Sequence, residues 1–487
     1  MDTASSHTVR IPTRFSRLAG DSVIYSLGTV LGKVVALALL PVVTRALDPA
    51  GFGRLETLST AFTAIAALLL LGFDVSSARA FSLMQPDRRS EVTSTWLLIA
   101  LALAAVATTL CLLFQSQVAN LLLDDDGFRF AARWIGPVVA VSLLRSFVLG
   151  TLRNERLPRM YAAVSGASIS VTAVLMAVAA MTKPTVESLL VAQAVGVGIV
   201  AIAGLFYVRR FLTSGPSLLA AKLILRFGVP LAPLIGLVAV GDLATRTILL
   251  RTASESEVGL LGVAVRVGSI LTICGAGALV AFQPRAFDLA TGPAGREEIG
   301  KDIQRIFSLL SVVAIGLAVV SPFIVVVVAG DAYRSAAQVA GLVLVSALGA
   351  GLFQFLSIGL MIDGRTGRIS AATLVGVGST VALVTVLAPA YGAVGAAAAM
   401  SVGSWVSVAL ICVASRGGFF PQIAWFQIAP TVVAAGLAVL LLSSSSNFAL
   451  KALALVLVLS TLHVSSVLND GLALAKELVT KSRSRRG

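Results

Sequence analysis

The chain has 487 residues, 57% of them apolar and only 12% charged, with a formal net charge of +14. Soluble domains carry about 25% charged and 45–50% apolar residues. With a mean hydropathy of +0.96, this composition excludes an ordinary soluble enzyme, a disordered chain and a disulfide-stapled module, and it points to a polytopic membrane protein.

Apolar runs of about 20 residues, enough to cross a bilayer as helices, recur along the chain. The alternating segments of a β-barrel are missing. The runs predict an all-α integral membrane fold with about fourteen transmembrane helices. Their limits are 20–44, 55–80, 93–115, 131–151, 160–181, 187–208 and 228–250, then 258–282, 305–328, 336–360, 369–388, 393–414, 424–442 and 449–468. The first run is too long for a cleaved leader peptide and is expected to stay as a helix. Cys111, Cys274 and Cys412 all lie inside apolar runs, which argues against a disulfide framework or a metal site.

Lys and Arg crowd both tails and the connections after even-numbered spans, among them Arg88, Arg89, Arg153, Arg156, Arg159, Arg209, Arg210, Arg365 and Arg368. The positive-inside rule then places both termini in the cytoplasm, with the protein in the plasma (cytoplasmic, inner) membrane. Basic residues so placed set topology and attract anionic lipid; they do not imply nucleic acid.

The chain also echoes itself. Arg45 and Gly53 follow span 1 as Arg251 and Gly259 follow span 7, 206 residues later. The connection Asn154-Glu155-Arg156-Leu157-Pro158-Arg159 is matched by Asp363-Gly364-Arg365-Thr366-Gly367-Arg368. Six spans separate the copies, so both halves share one orientation, as in a parallel repeat. The expected organisation is a basic tail (1–19), an N-lobe of six helices (20–208), a cytoplasmic linker (209–227), a C-lobe of six (228–414), an extra hairpin (415–468) and a basic tail (469–487).

Charges within spans are costly and mark functional sites by default. The candidates among them are Lys33, Asp74, Arg145, Asp242, Arg246 and Arg266, on the early spans of both halves, and their balance predicts a cationic central cavity. Asp242 and Arg246 stand four apart and can also pair with each other. Asp74 can pair with Arg79. Pro230 and Pro233, near the start of span 7, are candidate hinges. Asp124-Asp125-Asp126 reads as a solvated outer loop. Neither histidine is placed as a base, and no phosphate-binding loop occurs; no catalytic residue, cofactor or metal is expected.

The stretch Gly20 to Gly53, with Thr44-Arg45-Ala46-Leu47, Pro49 and Gly51-Phe52-Gly53, resembles polysaccharide-export flippases of the Wzx/RfbX type. So do Leu152-Arg153 to Tyr161, and Gly228-Val229-Pro230-Leu231 with Asp242 and Val258-Gly259. The resemblance implies a two-lobed bundle of the multidrug/oligosaccharidyl-lipid/polysaccharide (MOP) superfamily. It implies movement of a polyprenyl-diphosphate-linked oligosaccharide from the inner to the outer leaflet. Lys33, Arg246, Arg266 and Arg145 are then the expected headgroup contacts, because Arg suits bidentate phosphate binding and Lys acts as a point charge. Asp74 or Asp242 would couple transport to a proton or sodium ion, and a glycan polymerase is an expected partner. The alternatives are a drug or metabolite exporter of the same fold and a membrane glycan polymerase or transferase.

Overall fold

A computed structural model describes residues 34–35, 38–70, 72–123, 133–290, 295–416 and 421. Both tails, most of span 1, Lys33, the aspartate cluster at 124–126 and spans 13 and 14 lie outside the described residues. Those described are helical, with no strand among them.

The helices are α1 (38–46), α2 (Pro49–Leu69), α3 (Phe73–Leu83), α4 (Arg89–Leu113), α5 (Gln115–Leu123), α6 (Ile135–Asn154), α7 (Pro158–Thr182) and α8 (Val186–Val208). They continue as α9 (Leu218–Thr252), α10 (Glu255–Leu289), α11 (Gly295–Ala329), α12 (Ala336–Ile362) and α13 (Thr366–Ala414). Eight helical segments among the described residues are long and apolar enough to cross a membrane.

Local chemistry sets the helix starts. The Asp48 carboxylate accepts from the Gly51 N–H at 2.8 Å and Pro49 follows it, so α2 begins with a cap and a pre-set φ. Ser254 caps α10 through the Glu257 N–H, and Glu255 and Glu257 favour that N-terminus further.

Several boundaries differ from the predicted spans, and one predicted split is kept. Span 2 is divided into α2 and α3 at Gly72, whose φ of 64° is left-handed. The helix of span 7 starts at Leu218, inside the predicted linker. Ala220 and Ile224 bury with Phe73, Trp96 and Phe147, while Lys222 and Arg226 dilute the local hydropathy. Spans 11 and 12 are the two limbs of α13, which breaks between them at Gly392 (φ 53°), just after Pro389. The Glu257 carboxylate accepts from the Ala393 N–H at 2.6 Å and caps the second limb.

Two cores belong to separate parts of the chain. One joins α3, α4, α6 and the start of α9 around the fully buried Trp96, whose ring meets Phe147 edge-on at 5.2 Å. Another lies among α10 to α13 around Phe282, Phe307 and Phe355. A third core joins the halves, with Leu58 of α2 and Val258 and Leu261 of α10 among its members.

The sequence echo has a structural basis in that joint. Asp48 and Ser254, 206 residues apart, are the two N-caps. Five residues on, Gly53 and Gly259 face each other's helix. A Cβ on Gly53 would stand 1.9 Å from the Glu255 carbonyl oxygen, and one on Gly259 would stand 2.2 Å from that of Pro49. Only glycine permits this approach. Arg45 donates to the Val327 carbonyl near the end of α11, and Arg251 donates to the Asn120 carbonyl near the end of α5. Each arginine thus reaches a helix of the other half. The second echo is equally physical: Arg156 (φ 56°) and Gly364 (φ 70°) both end a helix in the left-handed region.

Candidate functional site

Next to the glycine contact, one turn deeper along α2, lies Glu56. It is 6% exposed. Its two oxygens meet two guanidinium groups: Oε2 is 3.3 Å from Arg246 Nη1 on α9, and Oε1 is 2.5 Å from Arg266 Nη1 on α10. Arg246 also donates to Thr60 Oγ1 at 2.6 Å, and Arg266 lies 5.1 Å over the Phe52 ring. The carboxylate comes from the first half and both cations from the second. Closer to the helix starts, Arg54 pairs with Glu255 at 2.6 Å.

The structure brings Arg246 and Arg266 together on Glu56. Arg246 turns to Glu56 and not to Asp242, one turn away on its own helix. The sequence did carry a signal for Glu56: an acid one residue inside a predicted span. A hydropathy reading treats that position as a helix end exposed to water, whereas α2 already starts at Pro49.

Asp242 faces a different space. A cavity of about 380 Å³ opens among α9, α12 and α13. Asp242, Gln354 and a ring of hydroxyl groups line it, with no Lys or Arg among its lining residues. The hydroxyl protons are already spent. Thr245 donates to the Gly241 carbonyl, Ser346 to that of Met400, Thr380 to that of Gly376 and Ser404 to that of Ser401. What remains toward the cavity is oxygen lone pairs, one carboxylate and the Gln354 amide, whose oxygen accepts and whose NH2 donates; the carboxylate and lone pairs suit a cation. Among the described residues, the single cationic cavity read from the sequence is thus divided between two places. A paired cationic cluster lies where the halves meet, and an electronegative cavity lies inside the second half.

The other candidates are dispersed. Arg145 lies half-buried on α6 and is not free. Arg79, the expected partner of Asp74, stacks 3.7 Å from the Phe227 ring of α9. The side chain of Asp74 lies outside the described residues, as do those of Pro230 and Pro233, through which the backbone of α9 stays helical.

Solved structures share this architecture. One titled "Lipid II flippase MurJ, inward closed conformation" aligns with a TM-score of 0.70 and 12% identity, over 93% of this chain and 100% of that one. An inward-facing multidrug resistance MATE family transporter of the MOP superfamily aligns at 0.63 and 14%, over 79% and 94%. A MOP superfamily transporter from Pyrococcus furiosus, whose title reports a binding pocket of reverse polarity, aligns at 0.55 and 13%, over 82% and 95%. No curated protein matches by sequence. The fold defines the class: a multi-pass membrane protein with the architecture of MOP superfamily transporters. Residues 18–290, more than half of the chain, match the family described as "Polysaccharide biosynthesis protein". The chain belongs to that family.

Proposed function

We propose that this protein is a flippase that carries a polyprenyl-diphosphate-linked oligosaccharide from the inner to the outer leaflet for cell-surface polysaccharide synthesis. The observation that carries this reading is the pair of guanidinium groups, Arg246 and Arg266, converging on one carboxylate oxygen each between the two halves. Two such groups can hold a diphosphate, and in a low dielectric each contact strengthens. Lys33 and Arg145 would supply further positive charge along the path. The lipid tail would stay in the bilayer while the halves rock between inward and outward openings, with Pro230 and Pro233 as hinges.

The electronegative cavity gives transport a second input. Asp242 and its ring of lone pairs would bind a proton or sodium ion, and Asp74 is the other candidate for that role. Both termini would face the cytoplasm. The basic connections there would contact anionic lipid, and a glycan polymerase would consume the product on the outer face.

Deletion of the gene followed by leaflet-resolved lipid extraction tests the proposal. The expected result is lipid-linked repeat units trapped on the inner leaflet. Units that still reach the outer leaflet unpolymerised would assign the protein to polymerisation instead.

A further inference from the structure

We infer that Glu56 is a resident stand-in for the substrate's anion: its carboxylate holds Arg246 and Arg266 while the halves are closed, and an incoming diphosphate takes both guanidinium groups over from it. This rests on the reading that those two arginines receive the substrate.

The first ground is charge. Two guanidinium groups share one carboxylate that is 6% exposed, so these three side chains together carry a net positive charge. Buried charge that lacks a full complement is unfavourable. A lipid-linked diphosphate brings one more negative charge than Glu56 and can neutralise both cations. The displaced Glu56 carboxylate must then take up a proton or reach water as the halves part, because left buried beside the diphosphate it would be the uncompensated charge.

The second ground is position. Around it, the contact between the halves is built from matched residues: Asp48 with Ser254, Gly53 with Gly259, Arg45 with Arg251. Glu56 breaks that pattern. Its counterpart 206 residues on is Gly262, where a Cβ would stand 2.9 Å from Glu56 Cγ. The second half supplies room for the acid and no acid of its own. A carboxylate that served only to join the halves could sit on either side; this one lies opposite both cations, where a ligand anion would lie.

The third ground is coupling. Arg246 and Arg266 belong to the second half, and Glu56, Thr60 and Phe52 belong to the first. Moving the arginines onto a ligand removes a tie between the halves. Occupancy would then release the contact, and an empty transporter would remain shut at this end.

Binding of inorganic pyrophosphate to the purified full-length protein in nanodiscs tests the inference. Glu56→Gln keeps the shape and removes the competing charge, so affinity should rise by about tenfold or more. Arg246→Gln or Arg266→Gln in the Glu56→Gln background should abolish the gain. Arginine-dependent binding with no gain from Glu56→Gln would overturn the exchange and leave the substrate reading standing. Binding indifferent to both arginines would overturn the substrate reading and this inference with it. If Glu56→Gln does not reach the membrane, Glu56→Asp serves. Its carboxylate is one methylene shorter and cannot span both guanidinium groups as closely, so affinity should rise by a smaller factor. Unchanged or weaker binding in Glu56→Asp would count against the exchange.

Discussion

Replacing Gly53 with alanine should force the two halves apart. The added Cβ would stand 1.9 Å from the Glu255 carbonyl oxygen. That oxygen is backbone, so no side chain can rotate away. The two helices must part by about 1 Å before the contact reaches even a tight 3.0 Å. Overpacking of this kind costs about 1–3 kcal/mol, against about 0.5–1 kcal/mol gained from replacing glycine inside a helix. That gain is common to the closed and the parted arrangement, so the full about 1–3 kcal/mol biases the equilibrium between them, by roughly 5- to 150-fold. Gly316 on α11 is the control, since nothing lies within 4 Å of a Cβ built there. Spin labels at the exposed Lys183 and Ala332 report the separation of the halves, in a background where Cys111, Cys274 and Cys412 are replaced. Pulsed EPR should show a longer-distance population in Gly53→Ala and none in Gly316→Ala. Identical distance distributions in both variants would refute the claim that this contact holds the halves together.

Three further outcomes are expected. Arg156→Gly should raise the melting temperature in detergent, because the left-handed φ of 56° costs a non-glycine residue about 1–2 kcal/mol; Gly364→Ala, at φ 70° in open space, should lower it. Asp242→Asn should remove any stabilisation by sodium or dependence on proton concentration while leaving pyrophosphate binding intact, as measured by thermal shift; loss of pyrophosphate binding would mean that the two sites are one. A reporter fused after Gly487 should read as cytoplasmic, and an outside reading would reverse the proposed orientation.

Much of this architecture is a local property of the chain. A run of apolar residues becomes a membrane helix wherever it occurs, because its backbone must satisfy itself in lipid. Hydropathy alone therefore places most helix centres. It fails where a residue's neighbours in space outweigh its neighbours in sequence: the start of α9 is helical because Ala220 and Ile224 bury against α3 and α4, and span 2 breaks because Gly72 can take a left-handed turn. The echo of Arg45 and Gly53 in Arg251 and Gly259 was legible as a repeat. Its meaning was not, since the sequence gives no sign that the two glycines pack against each other's helix.

The same division holds for the candidate site. Arg246 and Arg266 stand out in sequence because a charge within an apolar run is costly whatever surrounds it. Their counter-charge does not, since Glu56 lies 190 residues from Arg246 and at the margin of a predicted span. Pairing among buried charges is decided by which helices pack, and the packing of α2 against α9 and α10 exists only in the folded bundle. The sequence by itself determined that charges are present in the membrane; the tertiary structure decided that two of them share Glu56 and that Asp242 faces a separate cavity, because Coulomb energies depend on distances that only packing sets.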